Sequence, residues 1–192
     1  MDRADCRRAV EELVRKRKVE EEDILKLEDC GKELLKSLSQ ISNCRDRKKV
    51  LYALCKLAEL GRVRADRLAD VVKAVKRELK GDCPWTKGVA AEFAGKLGMN
   101  DMEIVELVVK ALEDSCPWVR HRAADALSSF CRNPEFARIA YRALIRRLDD
   151  SSPYVQNYAF HALKVCLETF ESHSMSEAEE VKKAMKKVIP LS

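Results

Sequence analysis

At 192 residues the chain could form one large domain or two small ones, and 46% apolar content with six glycines and five prolines excludes a disordered protein. The formal net charge of +5 is uneven, with 22 basic and 16 acidic side chains over residues 1–80 and 15 and 16 over the rest, a mild bias that falls short of a dedicated nucleic-acid binder. No run approaches the ~20 apolar residues of a membrane span, and the charged stretch 1–18 lacks an apolar signal core, so a cytoplasmic protein is expected.

Nearly every segment repeats its apolar residues with a 3.6-residue period, and none alternates like a strand. The pattern predicts ten helices in five antiparallel pairs, over about residues 1–41, 44–80, 83–113, 116–149 and 152–190 of one domain spanning 1–192. In the first pair Ala9, Val10, Leu13 and Val14 precede Ile24, Leu25, Leu27, Leu34, Leu35 and Leu38. In the second, Val50, Leu51, Ala53, Leu54 and Leu57 lead to a closing Gly61, and Leu68, Val71, Val72, Val75 and Leu79 form the partner stripe. The third opens at Pro84 and breaks at Gly98; Asn100 with Glu103 then reads as a capping box ahead of Ile104, Val105, Val108, Val109 and Leu112. In the fourth, Ser115 or Cys116 caps, Pro117 takes the first turn, and Asn133 caps a partner begun by Pro134. After the linker 149–152 the fifth opens at Pro153, carries Tyr158, Ala159, Ala162, Leu163 and Cys166, loops at 172–174, and ends in a helix that Pro190 stops.

Three of these openings repeat one another. Cys83-Pro84-Trp85 leads to Val89-Ala90-Ala91-Glu92-Phe93-Ala94; Cys116-Pro117-Trp118-Val119-Arg120 leads to Ala123-Ala124-Asp125-Ala126-Leu127; Ser152-Pro153-Tyr154-Val155 leads to Ala159-Phe160-His161-Ala162-Leu163. The prolines lie 33 and then 36 residues apart, the period of a stacked supersecondary unit. With Asp114 ahead of Pro117, Val119-Arg120 and Ala123-Ala124-Asp125-Ala126-Leu127, the fourth unit resembles a HEAT repeat. The third and fifth are similar, with Thr86-Lys87 and Val155-Gln156 where Val-Arg would stand. The resemblance covers about residues 44–188 and implies an all-α solenoid, a curved stack whose inner face, made of the second helices, binds other macromolecules.

The eight cysteines (6, 30, 44, 55, 83, 116, 131 and 166) include no pair at Cys-x-x-Cys spacing, which disfavours a metal or redox motif. Cys83 and Cys116 hold equivalent places in successive units, but stacked helices ~8–10 Å apart do not suit a disulfide between them. Most cysteines read as small buried apolar residues, and whether any are bridged stays open. Two glutamines and four asparagines amid abundant Lys and Glu is a heat-adapted balance, in which an intracellular disulfide is tolerated. His121, His161 and His173 are not followed by Glu and stand in no catalytic spacing. Trp85, Trp118 and Tyr154 read as plugs at the joints between units rather than a ladder for stacking bases. The acid-then-base order of Glu177, Glu179 and Glu180 before Lys182, Lys183, Lys186 and Lys187 is what a helix dipole favours.

One charge pattern points outward. On the expected inner helices, Lys73, Arg77 and Lys80 share one face, as do Arg138, Arg142 and Arg146, while Glu103, Glu106 and Glu113 lie on the helix between. A basic stripe attracts an acidic partner or a phosphate backbone. The expected function is a non-catalytic scaffold binding a protein partner on its concave face, without cofactor or metal. The alternative is a nucleic-acid binder of the kind seen in HEAT-like DNA glycosylases, whose groove acid and aromatics have no counterpart among these residues.

Overall fold

The computed structural model describes residues 1–188, and among them there is no strand. The helices are α1 (Arg3–Arg15), α2 (Glu21–Leu25), α3 (Gly31–Gln40), α4 (Cys44–Glu59), α5 (Ala65–Lys80), α6 (Pro84–Lys96), α7 (Met102–Ala111), α8 (Pro117–Phe130), α9 (Pro134–Arg146), α10 (Pro153–Ser172) and α11 (Glu177–Lys186), with short 3-10 turns at Glu28–Cys30 and Arg147–Asp149. They gather into two compact units, one ending at Ala90 and one beginning at Ala91.

In the first unit the expected second helix is broken into α2, a 3-10 turn and α3. Ile24, Leu27 and Cys30 are buried at three-residue spacing, which a 3-10 turn aligns, whereas Leu34 and Leu38 are buried at the four-residue spacing of an α-helix. Asn43 caps α4 by accepting from the Arg45 and Asp46 amides, and Gly61, with φ of +67°, ends it. Leu51, Leu54 and Leu57 on α4 and Val71 and Val75 on α5 fill the core, each side chain contributing about 1.5–3 kcal/mol by burial. Leu68, expected on that stripe, is 45% exposed instead.

Glu78 is fully buried on α5, and Arg47 of α4 donates to both of its carboxylate oxygens at 2.7 Å. Two disulfides add covalent ties, Cys6–Cys30 and Cys44–Cys83, with Cα separations of 5.3 and 5.8 Å. Four of the eight cysteines are therefore bridged, which corrects the reading of most cysteines as small apolar fillers. Cys83 pairs not with Cys116 but with Cys44, because helix axes keep their distance while residues facing each other at the helix starts come closer. Loops of 24 and 39 residues make each bridge worth roughly 3–4 kcal/mol by chain entropy.

In the second unit the alanines set the spacing. Ala123, Ala124, Ala126, Ala159 and Ala162 are buried, and a Cβ on Gly95 would lie 2.8 Å from the Ala126 Cα, so α6 and α8 meet there without a side chain between them. Phe130 meets Phe136 and Tyr141 meets Phe170 edge-on, at centroid distances of 6.2 and 5.5 Å. Asp101, not Asn100, caps α7, accepting from the Ile104 amide at 3.1 Å. Asn133 caps α9 as expected, with Pro134 first in the helix. Pro190 lies outside the described residues.

A buried ion pair joins α8 to the linker before α10. The Arg120 guanidinium donates twice to Asp150 at 2.7 Å and to the Asp114 and Ser115 carbonyls at 2.9 and 3.1 Å. Gln156, at the motif position Arg120 occupies one unit earlier, donates to the Asp150 carbonyl at 2.6 Å. Burial pulls the Asp150 carboxyl upward, but the Arg120 hydrogen bond, the Ser152 amide and the Arg120 and Arg147 charges outweigh it and hold the group below its ordinary value.

Candidate functional site

The sequence singled out two basic triads, and the two differ in their surroundings. On α5 the buried stripe of Val71, Val75, Glu78 and Leu79 fixes the opposite face outward, and that face carries Arg67, Asp70, Lys73 and Arg77. On α3 the buried Leu34 and Leu38 likewise turn Lys32, Leu35, Lys36 and Ser39 toward it. Together they line an open groove of about 460 Å³ whose rim holds five cations and one carboxylate. That carboxylate, Asp70, lies 3.5 Å from Arg67 and 3.8 Å from Lys73, while Arg67 also meets Asp66 at 3.8 Å and Lys36 meets Glu33 at 3.9 Å. Arg77 reaches the buried Glu78 at 3.1 Å, an oxygen that Arg47 already holds. Lys80 is exposed at the end of α5 and does not line this groove.

Arg138, Arg142 and Arg146 do share one face of α9, above the buried Ala137, Tyr141 and Leu144. Each meets a carboxylate from a neighbouring element: Arg138 with Glu177 at 2.8 Å, Arg142 with Glu180 at 3.4 Å, Arg146 with Glu113 at 3.2 Å. Arg147 shares Glu113 at 3.0 Å, and the Tyr141 hydroxyl donates to Glu180 at 3.0 Å. Burial first, then that hydrogen bond, raises the Tyr141 phenol above its ordinary value and keeps it protonated as the donor. This face is a ladder of exposed ion pairs between second helices. The acid-then-base order of α11 thus does more than complement a helix dipole, since its first-turn acids also reach α9. Glu113 lies just past the end of α7, and its i+33 and i+34 spacing to the arginines was the available signal.

Two of the three aromatic residues, Tyr154 and Trp85, do not plug joints as expected. Tyr154 is 72% and Trp85 48% exposed, and Trp118 is half-buried under the Arg122 guanidinium at 5.6 Å. His121 packs on Tyr158 with ring centroids 4.3 Å apart; burial, then the Arg122 charge, holds its imidazole below the ordinary value, so it sits there neutral. Among the described residues no group of three or more His, Cys, Asp or Glu is placed to hold a metal ion, and no helix is long and apolar enough to cross a membrane.

The model of the HEAT-repeat family matches residues 72–164. Among solved structures, an engineered protein from the Northeast Structural Genomics Consortium superposes with a TM-score of 0.60 at 18% identity, covering 98% of this chain and 96% of that one. A designed armadillo repeat protein gives 0.58 at 18% identity over 98% and 93%. Another, solved in complex with the peptide (KR)4, gives 0.56 at 19% over 95% and 90%. No curated protein matches the chain significantly in sequence. At these identities the structural likeness establishes the fold, an all-α solenoid of the armadillo and HEAT kind.

Proposed function

We propose that this chain, a HEAT-repeat protein, is a non-catalytic scaffold that takes an acidic segment of a protein partner along the α3–α5 face of its first unit. The observation that carries this reading is the groove's charge, five cations against Asp70. Leu35, Ala74 and Ser39 give it a small, unobstructed floor that suits an extended peptide. A designed armadillo neighbour takes a peptide of alternating Lys and Arg; here the charge is of the opposite sign, and so is the expected ligand. Lys73 and Arg77 are the contact residues in this reading. Lys80, at the end of the same helix, extends the attraction. Arg138, Arg142 and Arg146 instead hold second helices to one another, which takes away the continuous basic track that a duplex would follow.

The disulfides bear on where such a scaffold works. Ordinary cytosol keeps thiols reduced, whereas intracellular proteins of hyperthermophiles retain bridges. A cytoplasmic protein of a heat-adapted organism reconciles the bridges with the Lys- and Glu-rich composition.

The test is fluorescence anisotropy with a labelled octaglutamate peptide, and with (KR)4 as the control. Octaglutamate should bind with an affinity that falls steeply with salt, and Lys73→Glu with Arg77→Glu should reduce it at least tenfold. Equal binding of (KR)4, or no effect of the double variant, would remove this reading.

A further inference from the structure

A second basic surface lies elsewhere on the first unit. An open cleft of about 550 Å³ lies between the connection after α1 and the first half of α4. Arg17, Lys18, Arg45, Lys48 and Lys49 line it with Val19 and Tyr52, and no carboxylate does. The Lys49 ammonium donates to the Val14 carbonyl and fastens the last turn of α1 onto α4. Some of the charge is compensated: Lys18 meets Glu20 at 2.7 Å and Lys49 meets Asp46 at 3.4 Å. The Arg17 and Arg45 side chains make no hydrogen bond or ion pair among the described residues. Arg45 also stands in the first turn of α4, where the helix dipole disfavours a cation. An anion in the cleft would offset that cost.

What separates this cleft from the α3–α5 groove is aromatic surface. Tyr52 is part of its wall, and the Lys48 ammonium lies 5.0 Å from the ring centroid of Trp85, a residue 48% exposed. Cations that track a backbone beside rings that accept base faces are the two ingredients of single-strand recognition. Guanidinium forks match phosphate and carboxylate alike, so it is the rings that discriminate. A peptide of carboxylates would use the cations and leave the rings idle.

We infer that the Arg17–Arg45 cleft binds single-stranded nucleic acid, its phosphates on the guanidiniums and lysines and a base against Tyr52 or Trp85. The test is anisotropy with a labelled twelve-nucleotide oligothymidine and with its duplex with oligoadenine. The single strand should bind best, with an affinity falling with salt by about 0.7 log unit per log unit for each phosphate held. Arg17→Glu with Arg45→Glu should cost at least tenfold. Trp85→Ala should cost roughly five- to a hundredfold, the loss of one stacked base, with the salt slope kept. Duplex binding as tight as the single strand, or indifference of the oligonucleotide to either variant, overturns the inference. Lys73→Glu with Arg77→Glu should leave the oligonucleotide affinity within about twofold, so this result and the acidic-peptide result stand or fall separately.

A different observation concerns the second unit. The sulfurs of Cys131, just past α8, and Cys166, within α10, lie 2.6 Å apart with both residues fully buried. That is nearer than two non-bonded sulfurs rest, and the two residues belong to successive first helices, as do Cys44 and Cys83. The geometry assigns Cys131–Cys166 as a third disulfide. A thiolate of one attacks an oxidised small-molecule disulfide and expels one small thiol; the second thiolate then attacks the mixed disulfide and expels the other, each cysteine having given up one proton. Burial, then the hydrogen bond to Cys166, pushes the Cys131 thiol well up in the folded chain, so the exchange belongs to folding, before the pair is enclosed. Protein refolded with oxidised glutathione and alkylated under denaturing, non-reducing conditions should show two modified cysteines, Cys55 and Cys116, and a linked peptide joining 131 to 166. Four modified cysteines would overturn it.

Discussion

The two units solve the same packing problem with different chemistry. In the first, helices of uneven length are tied by Cys6–Cys30, Cys44–Cys83 and the buried Arg47–Glu78 pair. In the second, regular helices approach through alanines and Gly95, and Arg120 locks the linker through Asp150. The surfaces differ in the same sense. Carboxylates from neighbouring elements meet each arginine of the triad on α9, while the α3–α5 groove pairs its cations along their own helices, Lys36 with Glu33, Arg67 with Asp66 and Asp70, Lys73 with Asp70 and Arg77 with Glu78. Pairs that cross between elements tie the packing, whereas pairs along one helix do not.

The largest expected effect comes from breaking the internal match. Arg120→Ala leaves Asp150 buried without its partner and should cost about 3–5 kcal/mol, read from denaturant midpoints. The same pair sets an acid limit. Because the Asp150 carboxyl is held below its ordinary value in the fold, its contribution is present above the unfolded value near 3.8 and is lost as pH falls through the lower folded value. Asp150→Asn should flatten the stability profile below about pH 4 while lowering stability at neutral pH. An unchanged acid limb would assign acid unfolding to other carboxylates.

Next come the covalent ties of the first unit. Cys44→Ser with Cys83→Ser should cost roughly 3–4 kcal/mol, and hydrogen exchange should show the lost protection concentrated in residues 1–90. Equal loss across residues 91–188 would mean that the two units do not differ in what holds them. Gly95→Ala follows, at about 1–3 kcal/mol for forcing a Cβ against Ala126.

Much of this was legible because it repeats. The Pro-Trp openings, the Ala-Ala-x-Ala-Leu runs and the Asn133 and Gly61 signals each specify local structure, and the helices follow them. The break at residues 24–34 was also in the sequence, as a shift from three- to four-residue spacing, but a helical stripe absorbs such a shift unless spacing is read residue by residue. The Cys44–Cys83 bridge was hidden because axial separations say little about residues that face each other at helix starts. The Asp150 partner of Arg120 lies 30 residues away in a stretch that reads as linker. The triads illustrate the harder limit: periodicity places Arg138, Arg142 and Arg146 on one face but is silent about Glu177, Glu180 and Glu113 opposite them.

The smallest effect sharpens the comparison most. Arg138→Ala with Arg142→Ala removes two exposed ion pairs whose Coulomb gain is screened and offset by side-chain entropy. The denaturation midpoint should barely move and should respond little to added salt. Octaglutamate affinity should also hold, because the vacated Glu177 and Glu180 belong to a face that already balanced its charge. Lys73→Glu with Arg77→Glu should abolish peptide binding at a larger cost in stability, since Arg77→Glu sets a second carboxylate beside the buried Glu78. If both double variants weakened octaglutamate binding alike, internal pairing would not be what decides which basic face is free to bind.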